Sequence, residues 1–244
     1  MYLEALCFSL DRVYSLTPSF RAEKSRTPRH LIEYWHLELE EAWVDNDGNM
    51  EIQEQLVTAM VERVLEDRLE ELELLERDTE PLREIQPPFR RMTYSQALEV
   101  LMDSGVEMDR GDDLGTREER LLTEDSLVPI FITSFPKACK AFYMKEDPDD
   151  PSLYKCSDLL APEGYGEIIG GSERETDLEM MLRRMREEGV PIEPYEWYLD
   201  LRRFGSVPHS GFGLGVERVV RWICGLEHIR DAIPFPRTVT RVYP

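Results

Sequence analysis

Lysine is scarce in this chain of 244 residues. Five of its 29 basic residues are lysines, 50 residues are acidic, and the formal net charge is −21. Such a surface is awkward for a protein that must grip nucleic acid broadly, because each phosphate contact favours a basic side chain. Cysteine is also sparse. Cys7, Cys139, Cys156 and Cys224 are scattered without metal-like spacing. They exclude a disulfide framework and point to a reducing, cytoplasmic setting. No apolar run approaches the roughly 20 residues that span a bilayer. No signal peptide is legible at the start, so neither a membrane nor a secretory role is expected.

The length suits one domain with a sizeable core. Residues 51–78 predict a long acidic amphipathic helix, with Leu56, Met60, Val64, Leu69, Leu72 and Leu75 near helical spacing. A Pro-containing connector over 79–93 follows. Thr93 to Ser95 caps a helix over 96–102, and a further helix is expected near 116–122. Strands are expected near 128–134, 140–145, 153–160 and 165–171, with helices near 176–188 and 194–203.

Two segments carry chemistry. The run Gly211-Phe212-Gly213-Leu214-Gly215-Val216-Glu217-Arg218 places alternate glycines on a strand that leads into an apolar helix. Alternate glycines leave one strand face without side chains, so a flat ligand could lie on the backbone. Arg218, at the junction, could reach an anion with its planar fork. Near the other end, two predicted strands flank a polar loop holding Arg21, Lys24, Arg26, Arg29 and His30. Five such residues within ten positions stand out in an acidic chain, and the loop suits a polyphosphate clamp.

Phe20-Arg21-Ala22-Glu23, the loop end Arg29-His30-Leu31 and Glu33-Tyr34 resemble motif 2 of the class II aminoacyl-tRNA synthetases. Gly211 to Arg218 resembles motif 3. The resemblance implies an α+β fold, an antiparallel sheet flanked by helices that binds ATP. It implies that Arg21 contacts the α-phosphate and the amino-acid carboxylate, and that Glu23 accepts from the adenine amino group. Tyr34 would stack on adenine, Arg29 and His30 would hold the outer phosphates, and Arg218 the γ-phosphate beside Gly215. Arg21 and Arg218 would thus be the catalytic pair, acting by position and charge.

The segment from Leu199 to His209 is similar to the asparaginyl branch of that family, as are Gly166 to Ser172, Phe135 to Met144 and Ile229 to Arg237. The resemblance covers essentially all residues from 1 to 244. In aspartyl relatives the segment matching Met1 to Ala5 carries a lysine that neutralises the substrate carboxylate. Here that position is Leu3, followed by Glu4. Glu4 is expected to accept from an asparagine amide and to repel aspartate, Arg203 to donate to the side-chain carbonyl, and His209 to line the pocket. Asp158 and Glu167 match carboxylates that hold Mg²⁺ against ATP phosphates. The implied partners are asparagine and tRNA(Asn), with a homodimer in the full-length form. The family's anticodon-binding barrel, its motif 1 and a turn that helps bind the substrate amine do not precede Met1, so the chain reads as part of a catalytic domain. The readings left open are an asparagine synthetase that amidates aspartate, an aspartyl enzyme, and a non-catalytic fragment that binds nucleotide or a partner.

Overall fold

A computed structural model describes residues 1–22 and 27–243. Its centre is a sheet of seven strands among the described residues, in the order β1-β2-β7-β6-β5-β4-β3. Strands β1 (Arg12–Phe20) and β2 (Glu33–Ala42) form the expected hairpin. The others are β3 (Arg90–Thr93), β4 (Ile130–Thr133), β5 (Cys156–Ala161), β6 (Gly166–Glu173) and β7 (His209–Gly215). Neighbours run antiparallel except β3 and β4, which are parallel. Strand β3 lies within the segment read as a plain connector. The strand expected at 140–145 does not form. A 3₁₀ turn at Lys137–Cys139 and a single bridge from Met144 to Arg174 take its place.

Alternation across the sheet sorts the residues into two faces. Leu37 and Leu39 of β2 pair with Leu214 and Phe212 of β7, and Ile169 and Leu159 continue the row to Phe131. Helices α2 (Asn46–Asp67) and α9 (Val216–Ile223) cover this apolar face with Met50, Val57, Val61, Val219, Trp222 and Ile223. The Asp45 side chain caps α2 by accepting from the Gly48 amide at 2.9 Å. The long acidic helix does not run to residue 78. It breaks at Arg68, and helix α3 (Leu69–Leu74) turns Leu72 into the core.

The opposite face carries the polar partners. His36, Glu38 and Glu40 of β2 sit across from Gly215, Gly213 and Gly211. Next in line come Gly170 and Ser172 of β6, then Asp158 of β5. Helix α1 (Tyr2–Leu10) covers the β1–β2 end of this face. Helices α5 (Tyr94–Asp103) and α6 (Thr116–Thr123) cover the β3–β5 end, with Tyr94, Ala97, Leu101 and Leu122 packed on Ile130, Ile132 and Leu160. Helix α4 (Glu80–Arg83) is a single turn that buries Leu82. Helices α7 (Leu178–Glu187) and α8 (Glu196–Arg203) form a third apolar cluster around Met181, Met185, Tyr198, Leu199 and Phe142. No described helix is long and apolar enough to cross a membrane.

Trp222 is fully buried where α9 meets the sheet. Trp222→Ala should therefore lower unfolding free energy by about 3–5 kcal/mol, read from urea unfolding curves.

Candidate functional site

The middle of the polar face, between the coverings of α1 and of α5–α6, opens into a cavity of about 330 Å³. Arg21, Arg29, His30, Tyr34, Gly215 and Arg218 line it, together with Asp158 and Glu167. The two distant sequence segments thus meet in one place. The Arg21 guanidinium lies 4.8 Å from the centre of the Tyr34 ring, an aromatic contact that fixes its plane. Glu23, Lys24 and Arg26 lie outside the described residues.

The cations are braced rather than loose. Arg29 is buried and forms a two-pronged pair with Glu119, one prong at 2.8 Å. Glu119 also accepts from the Glu167 amide at 2.7 Å. Burial and the nearby Arg218 charge lower the Arg29 pKa to about 10. His30 touches Thr27. Burial, then the charges of Arg218, Arg21 and Arg29, push its pKa down to about 4. At neutral pH His30 therefore offers an N–H and no charge, so the cationic count of the loop is smaller than its composition suggests.

Asp158 and Glu167 reach one face through a β-bulge. Asp158 pairs with Gly170, but Leu160 pairs with Glu167, skipping Ile168. The extra residue turns Glu167 onto the side of Asp158 and Gly170, the usual effect of a bulge. A Cβ on Gly170 would stand 3.4 Å from Glu167 Oε1 and 3.5 Å from Asp158 Oδ1. The two carboxylates thus converge on one spot beside the cavity, and glycine there leaves it open. Arg218 donates to Glu167 Oε2 at 2.7 Å and to its carbonyl at 3.0 Å. Although burial opposes ionisation, the Arg218 and Lys140 charges pull Glu167 down to about 2. Burial raises Asp158 to about 6, and the Glu167 charge adds to it against the pull of Lys140. Two converging carboxylate oxygens beside room for phosphate form the oxygen donor set that Mg²⁺ prefers, so these residues fit that ion.

The glycine strand is not the bare shelf that its composition suggests. The His36 ring lies over Gly213 and the Glu40 carboxylate over Gly211, where an added Cβ would strike them. The glycines of β7 make room for β2 side chains. Gly171, on the other face, is pressed by Asn49 and Gln53 of α2. Burial, with Arg21 and Arg218 nearby, lowers the His36 pKa against the pull of Glu38.

Three residues assigned to the substrate side chain stand elsewhere. Glu4 is fully buried behind the cavity. It accepts from Tyr198 Oη at 2.8 Å, from Arg202 at 2.7 Å and from His209 Nε2 at 2.9 Å. His209 is itself fully buried and serves this network instead of lining the pocket. Arg203 turns to solvent and pairs with Glu196 at 2.7 Å and Asp200 at 2.8 Å. The physical reason is helical phase. Tyr198 and Arg202 share the buried side of α8 four residues apart, and Arg203 lies one step, about 100°, around it.

Residues that sequence reasoning passed over line the cavity instead. Arg174 lines the cavity, donates to both Glu40 oxygens at 2.9 and 3.0 Å and to Ser172 at 2.8 Å, and lies over Tyr143. Glu38 lines the same cavity, with His36 at 3.6 Å as a loose partner. Leu3 lines it as well. Lys140 reaches in from the loop before Phe142 and donates to Asp158 at 2.6 Å. The signal for Arg174 was a period of two, since it follows Gly170 and Ser172 on the face of Gly213 and Gly211. Lys140 left no such signal, because it sits in irregular structure.

Residues 1–239 match the family profile of the class II tRNA synthetases (D, K and N). The whole chain is 58% identical to 56% of the asparagine–tRNA ligase of Pyrococcus horikoshii. It superposes with a TM-score of 0.97 on the crystal structure of asparaginyl-tRNA synthetase from Pyrococcus horikoshii complexed with asparaginyl-adenylate, at 58% identity, covering all of this chain and 56% of that one. The aspartyl tRNA synthetase from Entamoeba histolytica is more distant, with a TM-score of 0.88 and 32% identity over all of this chain and 51% of that one. The chain therefore spans about half the length of the curated relatives it matches.

Adjacent arginines of α8 should behave oppositely. Arg202→Ala strands a buried carboxylate and should cost about 3–5 kcal/mol in unfolding free energy. Arg203→Ala, on a solvent-screened pair, should leave the unfolding midpoint unchanged. Glu4 adds a pH signature. Burial alone would raise its pKa, but the His209 hydrogen bond and the charges of Arg202 and Arg174 hold it well below its ordinary 4.5. Its contribution to stability is therefore complete above pH 4.5 and fades as pH falls below that value. Denaturation curves of Glu4→Gln should show a shallower acid loss than the parent.

Proposed function

The chain belongs to the class II tRNA synthetases of the D, K and N group, and from that premise we propose that it holds the catalytic site of an asparagine–tRNA ligase. The observation that carries this reading is the pairing of two unlike ends in one cavity. Arg21, Arg29 and Arg218 gather at one end beside two carboxylates, as a metal-bound polyphosphate requires. Glu38 and Arg174 stand at the other, an acceptor and a donor that complement an amide. An aspartate carboxylate would face Glu38 in repulsion, and Leu3 offers it no counter-charge. Identity to the Pyrococcus ligase across the whole chain supports the same choice.

In the proposed reaction, a carboxylate oxygen of asparagine attacks the α-phosphorus of ATP. The bond to the bridging oxygen breaks and pyrophosphate leaves, giving asparaginyl-adenylate. A ribose hydroxyl of tRNA(Asn) then attacks the adenylate carbonyl carbon and AMP departs. Arg21 faces the α-phosphate and stabilises charge at the attacked phosphorus. Tyr34 stacks on adenine, Glu23 accepts from its amino group, and the Gly215 backbone leaves room for the nucleotide. Arg29 and His30 hold the outer phosphates, with Arg218 on the terminal one. Asp158 and Glu167 would hold Mg²⁺, which when bound supplies charge neutralisation at the phosphates. Glu4 and His209 act from behind the cavity, as supports for its wall. A homodimer and a cytoplasmic setting complete the reading.

Exchange of labelled pyrophosphate into ATP tests it, with asparagine and aspartate compared side by side. Asparagine-dependent exchange is expected. Exchange with aspartate alone would overturn the assignment and bring forward the aspartyl enzyme or the asparagine synthetase. Arg218→Ala should lower the exchange rate by about 10²–10³-fold, the scale of losing one preorganised charge donor. Leu3→Lys should shift preference toward aspartate, because the new ammonium would offset a second carboxylate.

A further inference from the structure

The two converging carboxylates are each gripped on one oxygen by a cation. Arg218 holds Glu167 Oε2 at 2.7 Å, and Lys140 holds Asp158 Oδ2 at 2.6 Å. The other two oxygens, Glu167 Oε1 and Asp158 Oδ1, are the ones near the point where a Gly170 Cβ would stand, at 3.4 and 3.5 Å. We propose that Lys140 is a positioning residue of the divalent-cation site, fixing Asp158 so that its Oδ1 faces the ion. The proposal rests on the reading of Asp158 and Glu167 as cation ligands and adds the group that orients one of them.

The anchorage of Lys140 supports this role. Its side chain is 11% exposed, so it does not sweep through solvent as surface lysines do. Its ammonium sits 3.9 Å from the centre of the Phe135 ring and 3.5 Å from Asp113. A ring and a second carboxylate thus hold the nitrogen from two sides while it grips Asp158. Partners behind metal ligands act in this way. They select which lone pairs face the ion, and their loss commonly weakens metal binding 10–100-fold. The opposite role, an ammonium that merely occupies the place of the cation, makes the opposite prediction, since removing a competitor tightens binding.

The test is Mn²⁺ binding to the full chain, followed by the electron paramagnetic resonance of the free ion, with no nucleotide present. Asp158→Asn marks the site and should weaken binding. Lys140→Met should weaken it about 10–100-fold, and Lys140→Arg should restore most of the loss. Adding Lys140→Met to Asp158→Asn should weaken binding no further, because Lys140 acts through Asp158. This comparison also removes both members of the buried pair, so it remains informative if Lys140→Met alone does not fold. Parent-like or tighter binding by Lys140→Met would overturn the proposal, as would a further loss in the double variant. Equal Mn²⁺ binding by the parent and Asp158→Asn would overturn the cation site itself, and the role of Lys140 with it.

Discussion

The register between β2 and β7 is the constraint on which the site depends. His36, Glu38 and Glu40 stand across from Gly215, Gly213 and Gly211. A slip of one residue would turn Leu37 and Leu39 toward the cavity and bury the polar row under α2 and α9. That exchange would strand charged groups against Trp222 and Phe212, so the apolar face enforces the geometry of the polar one. Glu217 adds a pin. It lies in the first turn of α9 and accepts from the Trp35 amide of β2 at 3.0 Å. The helix that covers one face is thereby tied to the strand that furnishes the other.

Charge is managed in pairs throughout the site. Arg29 leans on Glu119, Arg218 on Glu167, Lys140 on Asp158, Arg174 on Glu40 and Arg202 on Glu4. Burying any of these ions alone would cost far more than the pair does. Under the proposed reading, a site for a tetra-anionic nucleotide must present positive charge without collapsing onto its own carboxylates, and these braces hold the guanidinium planes in place beforehand. The wall behind Arg174 shows the same logic at depth, where Glu4 of α1, Tyr198 and Arg202 of α8 and His209 of β7 share one hydrogen-bonded network.

Much of the fold was legible along the chain. The hairpin, the capped helix at Thr93 and the glycine strand follow from local chemistry, as capping and alternation are local effects. The helix thought to reach residue 78 breaks at Arg68 because Leu72 must turn into the core, a demand set by distant residues. Strand β3 is short and pairs in parallel with β4, so its stability comes from a partner far along the chain.

The site divides along the same line. That Arg21, Arg29, His30, Tyr34, Gly215 and Arg218 would share one cavity was legible because their motifs are contiguous. Glu167 was legible as a carboxylate candidate, but its place beside Asp158 depends on the bulge at Ile168. Which of Arg202 and Arg203 faces inward was not legible, because one step of helical phase separates them and only packing selects the phase. Glu38 and Arg174 line the cavity where Glu4 and Arg203 do not, because strand register rather than local pattern sets their direction. Composition and local pattern determined which kinds of group this chain can bring to a ligand. Tertiary structure alone decided which of them reach it, because burial, strand register and a single bulged residue at Ile168 set the direction in which each side chain points.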